Sequence, residues 1–467
     1  MTRTLVVAGY GMVGHRLVRA LRERDTGNGW RIVVLAEEHR PAYDRVALTS
    51  YVDNWDAAAL SLPDNDDELV TIRLGDPVTS VDRAARTVTT RHGFTQRYDA
   101  LVLATGSVPF VPPVPGRDLP GCFVYRTIDD LDAIRIAASA ARPGRRSAMV
   151  VGGGLLGLEA ANALRGMGLS PHIVELGDRL MPLQVDDGGG GLLRRLVERL
   201  DLTVHTGTSA TRITRDGDRL LAHLSNGTEL DLDLVVFSAG VRPRDDLATA
   251  AGLATGARGG VVVDAGCRTG DPAVFAVGEC ACVDGRVHGL VAPGYAMAEV
   301  VADRLLGGDA EFPGADTATK LKLLGVDVAS FGDAHGTTEH ALEVVFHDAV
   351  AGSYRKLVVS DDGRTLLGGV LVGDASSYGT LRPLVGHRLP AEPAALLAPA
   401  GPVTLGIDAL PVSAQVCSCN AVTRENIEHA IREQGAGTVP AIKARTRAGT
   451  TCGSCVPTLR QLLSACG

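Results

Sequence analysis

The sequence predicts an α/β protein organised around two similar βαβ units, with a cysteine-rich module near its C-terminal end. Three observations predict it. Apolar runs that read as buried parallel strands lead twice into a glycine turn and an apolar-faced helix, at Gly9 and again at Gly152. Glycine is abundant, 56 of 467 residues where an ordinary share gives about 33, and it follows no collagen-like period. Of the nine cysteines, Cys417, Cys419, Cys452, Cys455 and Cys466 crowd the C-terminal stretch. Hydrophobic residues at 45% and charged residues at 21% suit a globular chain with ample core, and the length sets an expectation of about three domains.

The first unit opens with a strand at 5–8 and turns at Gly9-Tyr10-Gly11-Met12-Val13-Gly14. It continues into a helix with Val13, Leu17, Ala20 and Leu21 on one face. A loop insertion at 25–29 follows, then a second strand at 32–35 that ends at Glu37 and Glu38. The second unit repeats the plan: a strand at 148–151, the turn Gly152-Gly153-Gly154-Leu155-Leu156-Gly157, a helix through Leu164, and a strand at 172–174 ending at Glu175.

In such units the first glycine makes the turn, the second lets backbone N–H groups reach a pyrophosphate, and the third packs helix on strand. The helix N-terminus adds partial positive charge, and an acid about 20 residues on takes the ribose hydroxyls. Gly9, Gly11, Gly14 and Glu37 are therefore candidates for one dinucleotide, and Gly152, Gly154, Gly157 and Glu175 for another. One such turn is a weak signal. Two of them, each after a strand and before an acid, imply that a bound dinucleotide meets a diffusing one. A carboxylate at Glu175 favours the free 2′-hydroxyl of NADH over the 2′-phosphate of NADPH. Arg179 is near enough to keep both cofactors open.

Further motifs carry a resemblance. Leu101-Val102-Leu103-Ala104-Thr105-Gly106-Ser107 and Val274-Phe275-Ala276-Val277-Gly278-Glu279 resemble the flavin motifs of the FAD-dependent pyridine nucleotide oxidoreductases. The resemblance implies Thr105, Gly106 and Gly278 at FAD and Glu279 on its ribityl chain, where most relatives carry Asp. It also implies that the helix opened by Leu290-Val291-Ala292-Pro293-Gly294 points its N-terminus, at Pro293, toward the flavin ring. A positive helix end there would stabilise reduced flavin. Glu159 is implied as the candidate catalytic residue, in a positioning role near the nicotinamide rather than as a general base. Gly240 is implied as the second nucleotide-contacting strand end.

The stretch Glu37-Glu38-His39-Arg40-Pro41-Ala42-Tyr43-Asp44-Arg45 is more specific. It is similar to the flavin half of the NAD(P)H-dependent assimilatory nitrite reductase large subunit and to the electron-transfer subunit of assimilatory nitrate reductase, and it adds Arg45 to the flavin-side candidates. The run Thr319-Lys320-Leu321-Lys322-Leu323-Leu324-Gly325-Val326-Asp327-Val328 resembles the start of that family's third, mostly β domain. The resemblance covers essentially the whole chain. Residues 46–51 contain no cysteine, which excludes the dithiol relay of the family's disulfide reductases, and Ser50 stands where some relatives place a lysine beside the flavin.

Near the C-terminus the pattern is C-x-C at Cys417 and Cys419, then C-x-x-C at Cys452 and Cys455. Four thiolates at two tight turns suit iron or zinc. Zinc sites usually leave two to four residues between paired cysteines, so the C-x-C spacing tilts the reading toward an iron–sulfur cluster. The segment also resembles the [2Fe-2S] domain of the bacterioferritin-associated ferredoxin type, with those four cysteines as ligands. Thr423 reads as the N-cap of a helix carrying Ile427 and Ile431 on one face. Cys280 and Cys282 form another C-x-C, but with only Cys267 as a further candidate ligand they read as core thiols. Cys466 reads as a free surface thiol, and the run Gly188-Gly189-Gly190-Gly191 has no reading from the sequence.

The fold class expected is thus α/β: two interleaved Rossmann-like dinucleotide-binding domains, a β-rich α+β interface domain, and a small helical C-terminal [2Fe-2S] domain. The expected bounds are 1–115 with 245–310 for the FAD-binding domain and 116–244 for the NAD-binding domain. The interface domain follows at 311–388, a Pro- and Ala-rich linker at 389–412, and the cluster domain at 413–467.

The expected function is an NADH-oxidising flavoprotein that passes electrons through FAD and the cluster to a catalytic nitrate or nitrite reductase subunit. Only Cys466 follows the cluster cysteines, too few for a sirohaem centre and its coupled cluster, so the final acceptor is expected on another polypeptide. Two alternatives are a reductase feeding a ferredoxin or oxygenase-type acceptor and a cluster-based redox or iron sensor. The paired nucleotide turns count against the sensor. A formal charge of -8 argues against a nucleic-acid footprint, and no apolar run is long enough for a membrane span. Arg3 ahead of the apolar run at 5–14 imitates a secretory signal but lacks a small-residue cleavage site. The expectation is a cytoplasmic protein, with a homodimer as its candidate oligomer.

Overall fold

A computed structural model describes residues 2–63, 67–141, 146–321, 323, 325–397 and 406–466. The chain divides into two compact units. The first comprises Met1–Tyr51, Trp55–Val108 and Val241–Ala315, and the second Val52–Asn54, Pro109–Gly240 and Asp316–Gly467.

The first unit is built on a five-stranded parallel sheet in the order Val274–Ala276, Ala100–Leu103, Arg3–Ala8, Trp30–Leu35, Val70–Arg73. Arg3–Ala8 is its central strand, and Leu5, Val6 and Val7 are fully buried, as an apolar run without alternation requires of a strand covered on both faces. The Met12–Arg24 helix follows it, and the Val291–Leu305 helix packs against Met12–Arg24. An antiparallel meander, Val78–Asp82, Thr87–Thr90 and Thr95–Arg97, precedes Ala100–Leu103.

The second unit repeats this plan. Its parallel sheet runs Thr203–His205, Ser170–Val174, Ser147–Val151, Leu234–Phe237, Cys122–Val124, with the strand before the second glycine turn again central. A meander, Ala210–Asp216, Arg219–Leu224 and Glu229–Leu232, precedes Leu234–Phe237. Beyond Asp316 comes an antiparallel sheet in the order Thr319–Lys320, Val328–Gly332, Leu366–Val372, Ser353–Val359, Leu342–Asp348. Lys322 and Leu324 of the motif opening this sheet lie outside the described residues. Three helices, Arg424–Arg432, Val439–Thr446 and Val456–Cys466, close the unit. Thr423 caps the first of them in a capping box with Asn426, and Ile427 and Ile431 are buried on its inner face.

Two stretches differ from the sequence reading. Gly188 to Gly191 lie in the first turns of a helix, Asp187–Glu198, although glycine is a poor helix former. Packing explains the choice: a Cβ at Gly188 would sit 2.5 Å from the Tyr354 ring, and one at Gly190 would sit 2.8 Å from Arg179 Cδ. The 389–412 segment is more than a spacer. Its described parts carry a short helix, Pro393–Leu397, and a turn, Ile407–Ala409. Leu389, Leu397, Ile407 and Leu410 are buried in one core with the antiparallel sheet and the C-terminal helices. Residues 398–405 of the segment lie outside the described residues.

Asp186 caps the glycine-rich helix through Gly189 N–H (3.0 Å) and accepts from Tyr354 OH at 2.7 Å. It also pairs at 2.9 Å with Lys356, which is only 2% exposed and reaches Glu343 at the same distance. Burial works against the Asp186 charge, but Lys356, Gly189 and Tyr354 outweigh it and hold the carboxyl below its ordinary range. Removing the cation by Lys356→Met leaves the carboxylate uncompensated. We expect a loss of about 2–3 kcal/mol in denaturant unfolding at pH 7, on the low side for a broken buried pair because Glu343 is 44% exposed. A group with a depressed folded pKa stabilises above its unfolded value of about 3.9. The gap between variant and parent should therefore narrow as pH falls below about 4, and an unfolding midpoint unmoved at pH 7 would refute the assignment.

Candidate functional site

On the first unit, Gly9 adopts φ +110°, and a Cβ there would collide with the Ala104 carbonyl. A Cβ at Gly14 would collide with the Gly9 carbonyl. Gly11 is different. It is the N-cap of Met12–Arg24, no side chain caps that helix, and a Cβ at Gly11 meets nothing within 4 Å. The turn is thus closed by backbone on two sides and open at a helix end with uncapped N–H groups, which fits a pyrophosphate in shape and polarity.

Glu37 is paired with Arg244 and lies 3.8 Å from Arg91. Its neighbour Glu38, given no role in the sequence reading, accepts from Tyr43 OH at 2.9 Å and pairs with Arg45, whose guanidinium lies 5.2 Å from the Tyr43 ring centroid. Thr105 Oγ1 donates to the Arg244 carbonyl at 2.7 Å, and Arg244 N–H returns a bond to the Gly106 carbonyl at 2.9 Å. Ser107 Oγ donates to Glu279 Oε2 at 2.5 Å.

Gly278, at φ +77°, faces Gly294 so closely that a Cβ on Gly294 would lie 3.2 Å from its Cα. Pro293 sits in the first turn of Val291–Leu305, where a missing N–H breaks no helix bond. Gly9, Glu37, Thr105 and Gly278 all follow the C-terminal ends of parallel strands, where open α/β sheets bind ligands. Ser50 is exposed, and its hydroxyl donates to the Ala47 carbonyl.

On the second unit the turn has the same build. Gly152 adopts φ +118° beneath the Ser238 carbonyl, and a Cβ at Gly157 would strike the Gly152 carbonyl. Gly154 is the N-cap of Leu155–Gly166, without a side-chain cap and with nothing within 4 Å of a Cβ. Glu175 is fixed on the turn, taking Gly153 N–H on Oε2 at 2.6 Å and Gly177 N–H on Oε1 at 2.7 Å. Two of the roughly four lone-pair positions of a carboxylate are thereby used, leaving two for hydroxyl donors.

Arg179 is committed elsewhere. It donates to the Val185 carbonyl at 3.0 Å and pairs at 2.9 Å with both Asp178 and Asp187. Glu159 is buried on the Leu155–Gly166 helix. Gly240 adopts φ +101° with open space at its Cβ position, and its carbonyl accepts from Phe110 N–H at 2.9 Å. Ser238 Oγ, also without a sequence-based role, is buried beneath the turn with no hydrogen-bond partner among the described residues.

The C-terminal module brings its four cysteines together from two loops. Cys419 and Cys452 have their sulfurs 3.4 Å apart, and Cys417 bonds to Cys455. Hydrogen bonding from Cys455, opposed by burial and aided by Gly449 N–H and Asn420, lowers the Cys417 thiol to about 6. Cys419 and Cys455 are pushed up by bonding to their partner sulfurs and by burial. Asn420 bridges the loops, with Nδ2 2.9 Å from the Arg447 carbonyl and 3.7 Å from Cys417 Sγ.

Among the described residues no group of three or more His, Cys, Asp or Glu side chains is arranged around a single ion. The thiols instead form two pairs. Two sulfurs on one tetrahedral ion at about 2.3 Å stand roughly 3.7 Å apart, so the 3.4 Å Cys419–Cys452 pair needs little adjustment, and four thiols in two pairs suit a two-iron centre.

The other cysteines are inert by comparison. Burial pushes Cys267 up to about 12 and Cys122 up to about 11, and it raises Cys280, whose Sγ donates to the Leu103 and Val277 carbonyls. Cys466 is a free thiol, partly exposed and packed against the module core. All nine cysteines are free, and no helix among the described residues is long and apolar enough to cross a membrane.

These features define an NAD(P)H-dependent flavin oxidoreductase with an appended iron–sulfur module. Residues 3–300 match the pyridine nucleotide-disulphide oxidoreductase family, and the chain belongs to it. Residues 318–388 match the rubredoxin NAD+ reductase C-terminal domain, and residues 415–465 the BFD-like [2Fe-2S] binding domain. The cofactors that follow are FAD, NAD(P)H and a [2Fe-2S] cluster.

The chain is 48% identical to the nitrite reductase [NAD(P)H] large subunit of Klebsiella oxytoca, over 98% of this chain and 48% of that subunit. It is 33% identical to the assimilatory nitrate reductase electron transfer subunit of Bacillus subtilis, over 98% of this chain and 59% of that one. It thus spans about half the length of the nitrite reductase subunits it matches. Among solved structures, the ferredoxin reductase for the CYP199A2 system of Rhodopseudomonas palustris superposes with a TM-score of 0.72 at 28% identity, covering 81% of this chain and 93% of that one.

Proposed function

We propose that this protein oxidises NADH and passes the electrons through FAD and a [2Fe-2S] cluster to a catalytic nitrate or nitrite reductase subunit. The observation that carries the proposal is the four-thiol site on a chain that also holds two open, uncapped dinucleotide turns. FAD, when bound, supplies the step between a two-electron hydride donor and a one-electron carrier.

The chain's own residues do the rest. The Gly11 and Gly154 helix ends hold the two pyrophosphates, Arg45 and Glu37 lie on the flavin side, and Ser107 orients the Glu279 carboxylate for the ribityl hydroxyls. Thr105 and Gly106 shape the turn beside it, while Gly278, Gly294 and Pro293 bring a helix N-terminus close. Glu175 takes the ribose hydroxyls of NADH, and Arg179, already neutralised by Asp178 and Asp187, leaves a 2′-phosphate without a partner. Glu159 and Gly240 flank the nicotinamide end. Cys417, Cys419, Cys452 and Cys455 ligate the cluster. Nine free thiols suit a reducing, cytoplasmic setting, and a homodimer is the oligomer to test.

Anaerobic titration with NADH is expected to bleach the flavin and then the cluster, with NADPH acting only at higher concentration. A colourless protein holding zinc, or a cluster that stays oxidised, would overturn the scheme. Likeness to the R. palustris reductase keeps a ferredoxin or oxygenase-type acceptor as the second reading, and comparing both acceptor classes in turnover decides between them.

A further inference from the structure

A buried cation lies on the turn that packs against the thiol module. Arg382 lies in the turn Arg382–Leu384, directly after the short helix Tyr378–Leu381, and its side chain is only 10% exposed. A buried guanidinium needs a fixed partner, and Asp316 provides it, accepting from Nε at 3.0 Å and again from the same guanidinium's Nη2. This turn packs on the cysteine module. Thr458, three residues past Cys455, donates from Oγ1 to the Gly379 carbonyl at 3.4 Å, and a Cβ on Gly379 would lie 2.8 Å from that oxygen. Tyr378, Leu381 and Leu384 share one core with Cys417 and Cys455, against which Cys419 packs.

Burial opposes the Arg382 charge, and the Asp316 carboxylate offsets it. Burial, opposed by Arg382, pushes the Tyr378 phenol up, so it stays neutral. Arg382 is therefore a fixed positive charge on the turn that packs against the cysteine module.

We propose that Arg382, held by Asp316, is a positioning residue that raises the reduction potential of the [2Fe-2S] cluster. The inference rests on the four cysteines carrying that cluster. Reduction adds one electron, delivered from NADH through the flavin, to a centre already made anionic by thiolates, and no proton or bond change accompanies it. A nearby cation stabilises the more negative reduced form, and burial of the Arg382 side chain limits the screening of that effect. The same charge eases electron entry into the cluster.

The test is potentiometric titration of the cluster-loaded protein, followed by its visible and paramagnetic spectra, with the flavin midpoint as internal reference. R382Q is expected to lower the reduced-to-oxidised ratio at a fixed poise about tenfold, which is about 59 mV for one electron. R382K, which keeps the charge, should stay close to the parent, and D316N, which removes the compensating anion, should move the ratio the other way. A loaded R382Q protein with an unmoved cluster potential overturns the inference. Should R382Q fail to hold the cluster, D316N decides alone: a ratio equal to or below the parent's overturns it. A parent protein that binds zinc or no metal is a different outcome, since it refutes the cluster itself.

Discussion

Cys417→Ser is expected to cut electron delivery to a one-electron protein acceptor by on the order of 100-fold or more, while NADH still reduces the flavin within about twofold of the parent rate. The size follows from ligand chemistry: changes only one shell removed from a metal cost about 10–100-fold, and this substitution removes a ligand outright. Cys417 is a demanding position: it is buried, and Gly449 N–H and Asn420 are already directed at its sulfur. A serine hydroxyl stays protonated there and offers no soft donor. Cys455→Ser, on the partner of the same sulfur pair, should give the same phenotype, and retained NADH-to-flavin reduction shows in both that the nucleotide units are intact. The measurement is stopped-flow flavin bleaching beside steady-state reduction of cytochrome c. If cytochrome c reduction survives both substitutions, the cluster is off the electron path.

What the sequence disclosed and what it concealed divide along physical lines. Features set by neighbours in sequence were legible. The two glycine turns appear because Gly9 and Gly152 require positive φ and Gly14 and Gly157 require the absence of a Cβ against a carbonyl five residues back. Each demand is met within one short stretch. The Thr423 cap was legible for the same reason, since its partner Asn426 is three residues on. Features set by distant partners were not. Propensity argues against a helix opening on four glycines. Asp186 caps it, and Tyr354, from a strand far along the chain, leaves no room for a side chain at Gly188. Arg382 looks like a surface residue until Asp316 and the cysteine module are brought against it. The 389–412 segment reads as a spacer because its leucines follow no period, yet Leu389, Leu397 and Leu410 are buried. Glu38 is the intermediate case: its partners Tyr43 and Arg45 are close in sequence, but nothing in the spacing of the motif marks those contacts.

Gly154→Asp is expected to lower kcat/KM for NADH on the order of 100-fold while leaving thermal stability unchanged or slightly raised. The two effects have one origin. Gly154 is the N-cap of Leu155–Gly166, in an extended conformation (φ -76°, ψ -177°) that any residue can adopt, and a Cβ there meets nothing within 4 Å. Aspartate is among the preferred N-caps, so its carboxylate should accept from the first N–H groups of the helix and complement the helix dipole, gaining a few tenths of a kcal/mol over glycine. Those N–H groups are the ones a pyrophosphate needs, and the new carboxylate both occupies them and repels the phosphates. Losing one or two charge-assisted hydrogen bonds, at about 1.5–3 kcal/mol each, accounts for a loss of that order in transition-state binding. Gly157→Ala serves as the contrast. Its methyl would strike the Gly152 carbonyl, so the variant should lose stability along with activity. The same aspartate at Gly11, which caps Met12–Arg24 in the same open way, should empty the flavin site instead and yield a colourless flavin region in the spectrum. Steady-state kinetics with NADH, thermal unfolding and the flavin absorbance of the purified variants read all three. Unchanged NADH kinetics in a folded Gly154→Asp protein would mean that the nucleotide does not approach this helix end at all.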